Sequence, residues 1–192
     1  MTPFQALDPR VEVNGETVLS VLEGMGAFRS AALQLLAENG IEFPEPGHWF
    51  PQQSWLNSFK VIAEHVGDAT LRRIGRAIPE HAQWPRAVES IKDALASIDV
   101  AYHLNHRIGR QVLYDAASGR LYDGIGHYTF RDEGPRRASI VCDNPYPCAF
   151  DHGIVQAMAE RFCLPGDRVT VEHAGSGCRR AGEAACSYEV AW

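Results

Sequence analysis

Apolar positions in the first half of the chain recur with the 3.6-residue period of amphipathic helices. Over residues 16–39 this pattern predicts one long helix, with Gly40 at the position where a C-terminal cap is favourable. Gly24 and Gly26 each lower the helix propensity by about 1 kcal/mol relative to alanine. A break in this helix, or a close crossing with another helix, is therefore also compatible with the sequence.

The same period predicts three further helices before residue 107. The second covers residues 55–66, and the third begins with Asp68 as its N-cap and stops at Pro79. The fourth follows Pro85, and its apolar stripe continues by spacing to His106. We therefore expect His106 to face the interior of the protein.

The second half of the chain has the alternating apolar and polar residues of β-strands, beginning near Arg107. Short segments separated by glycine-containing turns predict a meander over residues 111–131. The elements predicted after it are a strand at 137–143, a helix at 150–163 and two strands at 168–173 and 186–192. The sequence thus predicts an α+β fold in which N-terminal helices pack on an antiparallel sheet, followed by a C-terminal helix and a strand pair.

Length and composition are typical of a globular protein. A chain of 192 residues suits one domain, which we predict for residues 1–192 with a mainly helical half (1–106) and a sheet-rich half (107–192). The net charge of −6 lacks the basic excess of a dedicated nucleic-acid binder. No apolar run approaches the roughly 18 residues of a membrane-spanning helix, and the first residues show no secretory signal. We therefore expect a cytoplasmic protein with no membrane span and no nucleic-acid partner.

The cysteines are the first candidates for chemistry. All five lie beyond residue 141, and their odd number is unlike a disulfide framework, which favours metal binding or reduced thiols. Strand alternation places His173 and Cys186 on the core faces of neighbouring strands, while Cys178 lies in the loop between them and Cys148 begins the preceding helix. These four residues offer the Cys3His ligand set of a structural zinc site. Buried free thiols and a disulfide between Cys178 and Cys186 are the alternatives.

Two segments resemble the 4-vinyl-reductase domain family. They read Asn144-Pro-Tyr-Pro-Cys-Ala-Phe-Asp-His-Gly and Cys178-Arg-Arg-Ala-Gly-Glu-Ala-Ala-Cys-Ser-Tyr-Glu-Val-Ala-Trp. The resemblance implies an α/β ligand-binding fold that is shared with the aromatic-sensing N-terminal domains of phenol- and xylene-responsive regulators, with haem–nitric-oxide-binding domains and with TRAPP vesicle-tethering subunits.

This resemblance also implies a pocket for a small hydrophobic molecule between the helices and the sheet, near a zinc ion held by cysteines and one acidic residue. The matching cysteine positions are Cys148, Cys178 and Cys186. The acidic position, three residues before the second of these cysteines, holds Gly175 instead, so His173 or Glu172 has to replace it. We favour His173, because Glu172 falls on the opposite face of its strand from Val171.

Histidines supply a second set of candidates. His103 and His106 are three residues apart near the end of the fourth helix, and therefore share one helical surface that can hold a metal ion or a cofactor. Asp99, four residues before His103, can orient its ring. An ordinary helix end, whose dipole favours histidine, explains the same pattern. His127 lies between small residues on a predicted strand, where it either lines a pocket or faces solvent.

Together these patterns predict a small-molecule-binding domain, a sensor or a carrier, for a hydrophobic, aromatic or tetrapyrrole ligand, with Trp55 and Tyr102 in the pocket wall. We recognise no output domain in the sequence, so we expect a homodimer or a separate partner, with the first helix as a candidate interface. The alternatives are an enzyme acting on a tetrapyrrole-like ring, a haem-binding protein using His103, His106 or His127, and a structural module like the TRAPP subunits. An enzyme is not favoured, because the sequence has no dinucleotide fingerprint, phosphate loop or nucleophile elbow.

Overall fold

Helices occupy most of the first half of the chain, and eight of the ten strands in the described residues lie in the second half. The computed structural model describes residues 3–85, 88–175 and 177–192. Its helices are α1 (Gly15–Val18), α2 (Ser20–Met25), α3 (Arg29–Glu38), α4 (Gln52–His65), α5 (Asp68–His81), α6 (Ile91–Leu104) and α7 (Cys148–Arg161). Its strands are β1 (Val11–Asn14), β2 (Trp49–Pro51), β3 (His106–Ile108), β4 (Gln111–Val112), β5 (Tyr114–Asp115), β6 (Arg120–Leu121), β7 (Tyr128–Gly134), β8 (Arg137–Cys142), β9 (Thr170–His173) and β10 (Cys186–Ala191). The predicted α+β class is confirmed.

The prediction of one continuous helix over residues 16–39 is wrong. This segment forms α1, α2 and α3, with a short 3-10 turn at Gly26–Phe28 before α3. Gly26 ends α2 because it adopts φ = +54°, a conformation that costs glycine little and other residues more. Gly24 allows a close crossing with α5, since a Cβ atom there would lie 2.3 Å from the Ile74 side chain. The two glycines therefore have different roles, a break at one and a helix crossing at the other.

The third predicted helix is present as α5, but it does not stop at Pro79. Pro79 is buried within its last turn, and the helix continues to His81. A proline so near the helix end removes one backbone hydrogen bond, while the Ala82 N–H still donates to the Ile78 carbonyl at 2.9 Å. Gly67, and not Asp68, occupies the N-cap position, and Asp68 lies in the first turn where an acidic side chain is favourable.

The strands form two four-stranded antiparallel sheets and one hairpin. The strand orders are β2-β1-β3-β4 in the first sheet and β7-β8-β10-β9 in the second, and β5 pairs with β6. We did not predict β1 and β2, because β1 has only four residues and β2 lies in a proline-rich loop. The predicted C-terminal strand pair is β9 and β10, in which His173 lies opposite Tyr188.

The helices α5 and α7 cross at very short distance, and this crossing positions the C-terminal half against the N-terminal half. A Cβ atom on Gly75 would lie 2.1 Å from the Phe150 carbonyl oxygen, and one on Gly153 would lie 2.2 Å from the Arg72 carbonyl oxygen. Only glycine fits at both positions. Among the described residues, no helix has the length and apolar character needed to cross a membrane.

Candidate functional site

A small cavity lies among helices α4 to α7, and most of its lining is apolar. Its volume is about 40 Å³. Three of the predicted ligand-binding residues line it, namely Trp55, Tyr102 and His106. The other lining residues are Thr17, Ile78, Ala82, Trp84, Ile98, Ala101, Asn105, Tyr128, Tyr146, Phe150 and Ile154. Ala82 and Trp84 are half-buried and the rest are buried, so the cavity approaches the surface at these two residues.

His106 belongs to a chain of hydrogen bonds along the cavity wall. Its Nδ1 lies 2.6 Å from the Tyr102 carbonyl oxygen, which can only accept, so Nδ1 carries the proton. Its Nε2 lies 2.7 Å from the Tyr146 hydroxyl and therefore accepts from it. The Gln52 amide in turn donates to the Tyr146 oxygen at 3.3 Å. Burial lowers the pKa of His106 to about 3, so the ring is neutral.

Two tryptophans that line the cavity carry indole N–H groups without an acceptor in the part of the chain that the structure describes. Nε1 of Trp55 and Nε1 of Trp84 are buried and have no hydrogen-bond partner among the described residues. Buried donors in proteins are nearly always paired, and leaving one unpaired costs about 1–3 kcal/mol. The lining of the cavity is therefore mostly apolar and includes the two tryptophans that carry these donors. Proximity of Trp84 to the cavity was not predicted, because it precedes the fourth helix in a loop whose path the sequence pattern does not fix.

Three cysteines meet at the junction of α7, β10 and the loop before β10. The Sγ of Cys148 lies 3.3 Å from that of Cys178 and 3.1 Å from that of Cys186, and the last pair is 3.7 Å apart. Three sulfurs bound to one zinc ion at about 2.3 Å lie about 3.8 Å apart in a tetrahedron, so this arrangement is close to that of a metal site. All five cysteines are free, so the alternative of a Cys178–Cys186 disulfide is wrong in this structure.

The environment of the three sulfurs favours a thiolate at Cys186. The pKa of Cys186 is lowered to about 3, because the Cys148 thiol donates to it and because the backbone N–H and Nε–H of Arg179 point to its sulfur at 3.4 and 3.5 Å. The pKa of Cys148 is raised, by its contact with Cys186 and by burial. One sulfur in the cluster is therefore ready to bind a cation without losing a proton.

His173, the predicted fourth ligand, lies beside the three sulfurs but is not grouped with them. The three sulfurs all lie within 4.8 Å of one another, whereas no ring nitrogen of His173 lies within that distance of all three. Its ring packs edge-on against Tyr188, with 5.3 Å between the ring centres, and contributes to the lowered pKa of Cys186. Its Nε2 is buried and has no partner among the described residues. Glu172 is exposed and lies opposite Glu189, so it points away from the sulfurs.

A buried ion pair fixes the cysteine cluster, and the sequence analysis missed it. Arg179 and Asp151 form a salt bridge in which both side chains are fully buried. The guanidinium also donates to the backbone and side-chain oxygens of Asn144, and Tyr128 donates to Asp151 at 2.5 Å. Burial raises the pKa of Asp151 to about 6, although Arg179 and Tyr128 act in the opposite direction. A single arginine in a loop gives no sequence signal for burial.

The histidines predicted to share one helical surface lie at two different places. The helix α6 ends at Leu104, so His106 belongs to β3 and turns to the cavity. His103 remains on α6, with its ring 5.0 Å from that of His127, and neither of these two lines the cavity. Asp99 lies between them, with its Oδ2 3.1 Å from the Nδ1 of His127. The role of all five predicted residues in ligand binding stays a prediction.

Comparison with known proteins identifies the fold. No protein-family model matches the chain, and no curated protein matches it. Solved structures of H-NOX domains do match. An H-NOX protein from S. oneidensis in the Fe(II) ligation state has a TM-score of 0.60 and 12% identity over 93% of this chain and 95% of that one. An oxygen-binding H-NOX domain related to soluble guanylate cyclases has a TM-score of 0.58 and 13% identity over 92% and 91%.

A third similar structure was used to probe haem distortion in the H-NOX family, with a TM-score of 0.60 and 13% identity over 93% of this chain and 94% of that one. At such identities the similarity concerns the fold. The fold expected from the 4-vinyl-reductase resemblance, which is shared with haem–nitric-oxide-binding domains, is therefore confirmed at the level of those domains.

Proposed function

We propose that this chain is a sensor domain that binds a small apolar molecule carrying a hydrogen-bond acceptor. The observation that carries the proposal is the apolar cavity lined by Trp55 and Trp84, whose indole N–H groups have no partner within residues 3–85, 88–175 and 177–192. An acceptor on the ligand would pair with one of these donors, while the ligand's apolar part would contact the aromatic walls. The H-NOX fold supports a sensing role, since its solved members include an oxygen-binding domain.

The cavity volume limits the size of the ligand. A single water needs roughly 10–15 Å³ on this scale, whereas an apolar cavity of roughly 150 Å³ accepts benzene. The cavity of about 40 Å³ therefore holds a molecule of a few heavy atoms without any movement. An aromatic ligand requires the wall to open, and the half-buried Trp84 is the side chain best placed to move.

Nuclear magnetic resonance of the four indole N–H groups tests this proposal. We expect acetone and phenol, as small and aromatic probes, to shift the signals of Trp55 and Trp84, whereas benzene, which lacks an oxygen acceptor, shifts them less. Trp49 and Trp192 do not line the cavity and serve as internal controls. Unmoved Trp55 and Trp84 signals at millimolar concentrations of every probe would contradict the proposal.

A matched pair of variants on α6 separates cavity binding from surface binding. Ala101→Leu places a larger side chain in the cavity wall, and Ala96→Leu makes the same change on the exposed side of the same helix. We expect Ala101→Leu to abolish the probe-induced shifts and Ala96→Leu to retain them. Equal shifts in both variants would mean that the probes bind elsewhere.

Haem is the second candidate ligand, and the H-NOX fold is the observation that favours it. The present cavity does not fit a porphyrin, because its volume is about 40 Å³ and the Nε2 of His106 is occupied by the Tyr146 hydroxyl. Haem binding would require Tyr146 to leave His106 and the aromatic wall to separate. An absorption spectrum after haem addition decides between the two. We expect the protein to leave the broad Soret band of free haem unchanged, and a shifted, sharpened Soret band that His106→Ala removes would establish haem as the ligand.

For the cysteine cluster we propose a structural zinc ion bound by Cys148, Cys178 and Cys186, with His173 turning by a small rotation to supply the fourth ligand. The short distances among the three sulfurs and the unpaired Nε2 of His173 support this. Four protein ligands would leave no position for water, so the ion would stabilise the fold and take no part in catalysis. Convergence of the three cysteines also supports the 4-vinyl-reductase resemblance, whose cysteine positions they match.

We further propose that the protein acts in the cytoplasm as a homodimer formed through the α2–α3 segment. The large exposed apolar side chains of Phe28 and Leu33, which are 67% and 40% accessible, support this assignment. They lie between the charged residues Glu23, Arg29 and Glu38. Size-exclusion chromatography with light scattering should give twice the mass of the chain. A monomer at every concentration, with and without ligand, would contradict the assignment.

A further inference from the structure

A second group of metal-binding side chains lies between α6 and the start of β7. Asp99 and His103 are one helical turn apart on α6, and His127 directly precedes β7. Each of the three offers one ligand atom, and these atoms all lie within 4.8 Å of one another. The side chain of His103 is fully buried, and its Nε2 has no hydrogen-bond partner among the described residues.

The hydrogen bond of His103 fixes which of its nitrogens is free. Nδ1 lies 2.8 Å from the backbone carbonyl oxygen of Asp99, which can only accept a proton, and 3.5 Å from Oδ1 of the same residue. Nδ1 therefore carries the hydrogen, and Nε2 presents an unprotonated lone pair in a buried place. Histidines that bind metals typically donate their other ring N–H to a carbonyl or a carboxylate in this way, which sets both the tautomer and the orientation of the ring.

The other two side chains are held in place by the backbone of β7 and of the segment after β8. One carboxylate oxygen of Asp99 accepts from the Tyr128 N–H at 2.9 Å, and the other faces His127 Nδ1 at 3.1 Å. The backbone of His127 is fixed on both sides by Asp143, whose side chain accepts from the His127 N–H at 2.5 Å and whose own N–H donates to the His127 carbonyl at 3.2 Å. Two of the candidate ligands thus lie on α6, and hydrogen bonds to Asp143 fix the backbone of the third, which directly precedes β7.

The local charge favours a cation. The carboxylates of Asp99, Asp123 and Asp143 surround His127, and Asp123 lies 3.4 Å from its Nε2. Two imidazole nitrogens and one carboxylate are the donors preferred by divalent first-row transition metals, whereas magnesium and calcium prefer oxygen alone. His127 and Asp99 retain 32% and 18% side-chain accessibility, so an ion can reach them from solvent.

We propose that Asp99, His103 and His127 form a binding site for one divalent transition-metal ion, built from residues other than those of the cysteine cluster. Donor atoms around an ion at about 2.1 Å lie roughly 3–3.5 Å apart. Asp99 Oδ2 and His127 Nδ1 already have this spacing at 3.1 Å, and the ligand atom of His103 lies within 4.8 Å of the other two. Three protein ligands leave positions open on the ion for water or for a small ligand.

Cobalt(II) absorption tests the site in the full chain. One equivalent of zinc is added first to occupy the thiolates, and cobalt(II) is then titrated. We expect one further cobalt(II) per chain with visible d–d bands and without the near-ultraviolet charge-transfer band that thiolate ligands produce. A protein that shows no visible bands beyond those of the free aqua ion up to millimolar cobalt(II), or only bands with thiolate charge transfer, would overturn the proposal.

Substitutions at the partly exposed ligands identify the residues. His127→Gln and Asp99→Asn should each weaken cobalt(II) binding by about tenfold or more, while circular dichroism shows that the variants stay folded. His65→Gln, an exposed histidine on α4, is the control for adventitious histidine binding and should bind as wild type does. Unchanged affinity in a folded His127→Gln variant would overturn the assignment, and Asp99→Asn provides the same test should that variant fail to fold.

Discussion

Acidification should destabilise the protein through His106, because this ring is held neutral in the folded state. Its Nδ1 donates to the Tyr102 carbonyl and its Nε2 accepts from the Tyr146 hydroxyl, so a second proton has no acceptor to pair with. Burial lowers its pKa from the ordinary value of 6.5 to about 3. Below pH 6.5 the unfolded chain binds a proton at this site that the folded protein does not bind. The stabilisation is therefore complete above pH 6.5 and is lost as the pH falls towards 3.

The size of the effect follows from the two pKa values. Each pH unit below 6.5 costs about 1.4 kcal/mol of unfolding free energy, until the folded protein itself becomes protonated. At pH 5 the loss due to His106 alone is about 2 kcal/mol, and its limit near pH 3 is about 5 kcal/mol. These values apply without a correction for solvent screening because His106 is only 3% accessible.

Urea unfolding of the wild type and of His106→Gln at pH 7.5 and at pH 5 measures this contribution. Glutamine keeps polar hydrogen-bonding groups at the site but does not titrate. The variant retains the other histidines whose pKa values are lowered by burial, such as His103 and His152. We expect the wild type to lose about 2 kcal/mol more than the variant over this interval. Equal losses in the two proteins would refute the conclusion that His106 is neutral and buried in this hydrogen-bonded chain.

Three further predictions concern the C-terminal half. Arg179→Met should lower the unfolding free energy by about 3–5 kcal/mol, because it leaves the buried carboxylate of Asp151 without its partner. Arg180→Met removes an exposed ion pair and should cost at most about 1 kcal/mol in the same denaturant titration. Gly153→Ala should destabilise by about 1–3 kcal/mol through its contact with α5, and a gain of about 1 kcal/mol from helix propensity alone would contradict that contact. Cys178→Ser should lose the zinc ion and have a lower melting temperature, with the zinc measured by elemental analysis. Cys163 lies outside the cluster, so Cys163→Ser should retain the metal.

The elements that could be predicted are those with a strong apolar period. Helices α4, α5 and α6 were found within a few residues because each buries a continuous stripe of large side chains against the core. The segment 16–39 has the same period, but the positive φ of Gly26 divides it, and periodicity carries no information on φ. The short strand β1 escaped prediction because four residues contain too few alternations to distinguish a strand from a turn.

The cysteine cluster could be predicted because cysteine is a typical metal ligand. The buried ion pair that holds the cluster in place could not be predicted. Strand alternation indicated Cys186, position in a loop and at a helix start indicated Cys178 and Cys148, and the 4-vinyl-reductase resemblance implied all three. The structure brings them together. The pair of Asp151 and Arg179 that fixes their position joins residues 28 apart in sequence, on a helix and in a loop. Such pairing depends on how α7 docks against the second sheet, which no local pattern specifies.

His103 and His106 illustrate how two residues of helix length change a functional interpretation. A helix that reached His106 would have placed it beside His103 on one surface, where the two would serve a single metal or cofactor. Because α6 ends at Leu104 with Asn105 as its C-cap, His106 enters β3 and pairs with Tyr146 at the cavity. His103 stays one turn from Asp99 and faces His127. The end of α6 therefore separates a neutral histidine in the cavity wall from a histidine with a free lone pair, and only the second suits a metal ion in this structure.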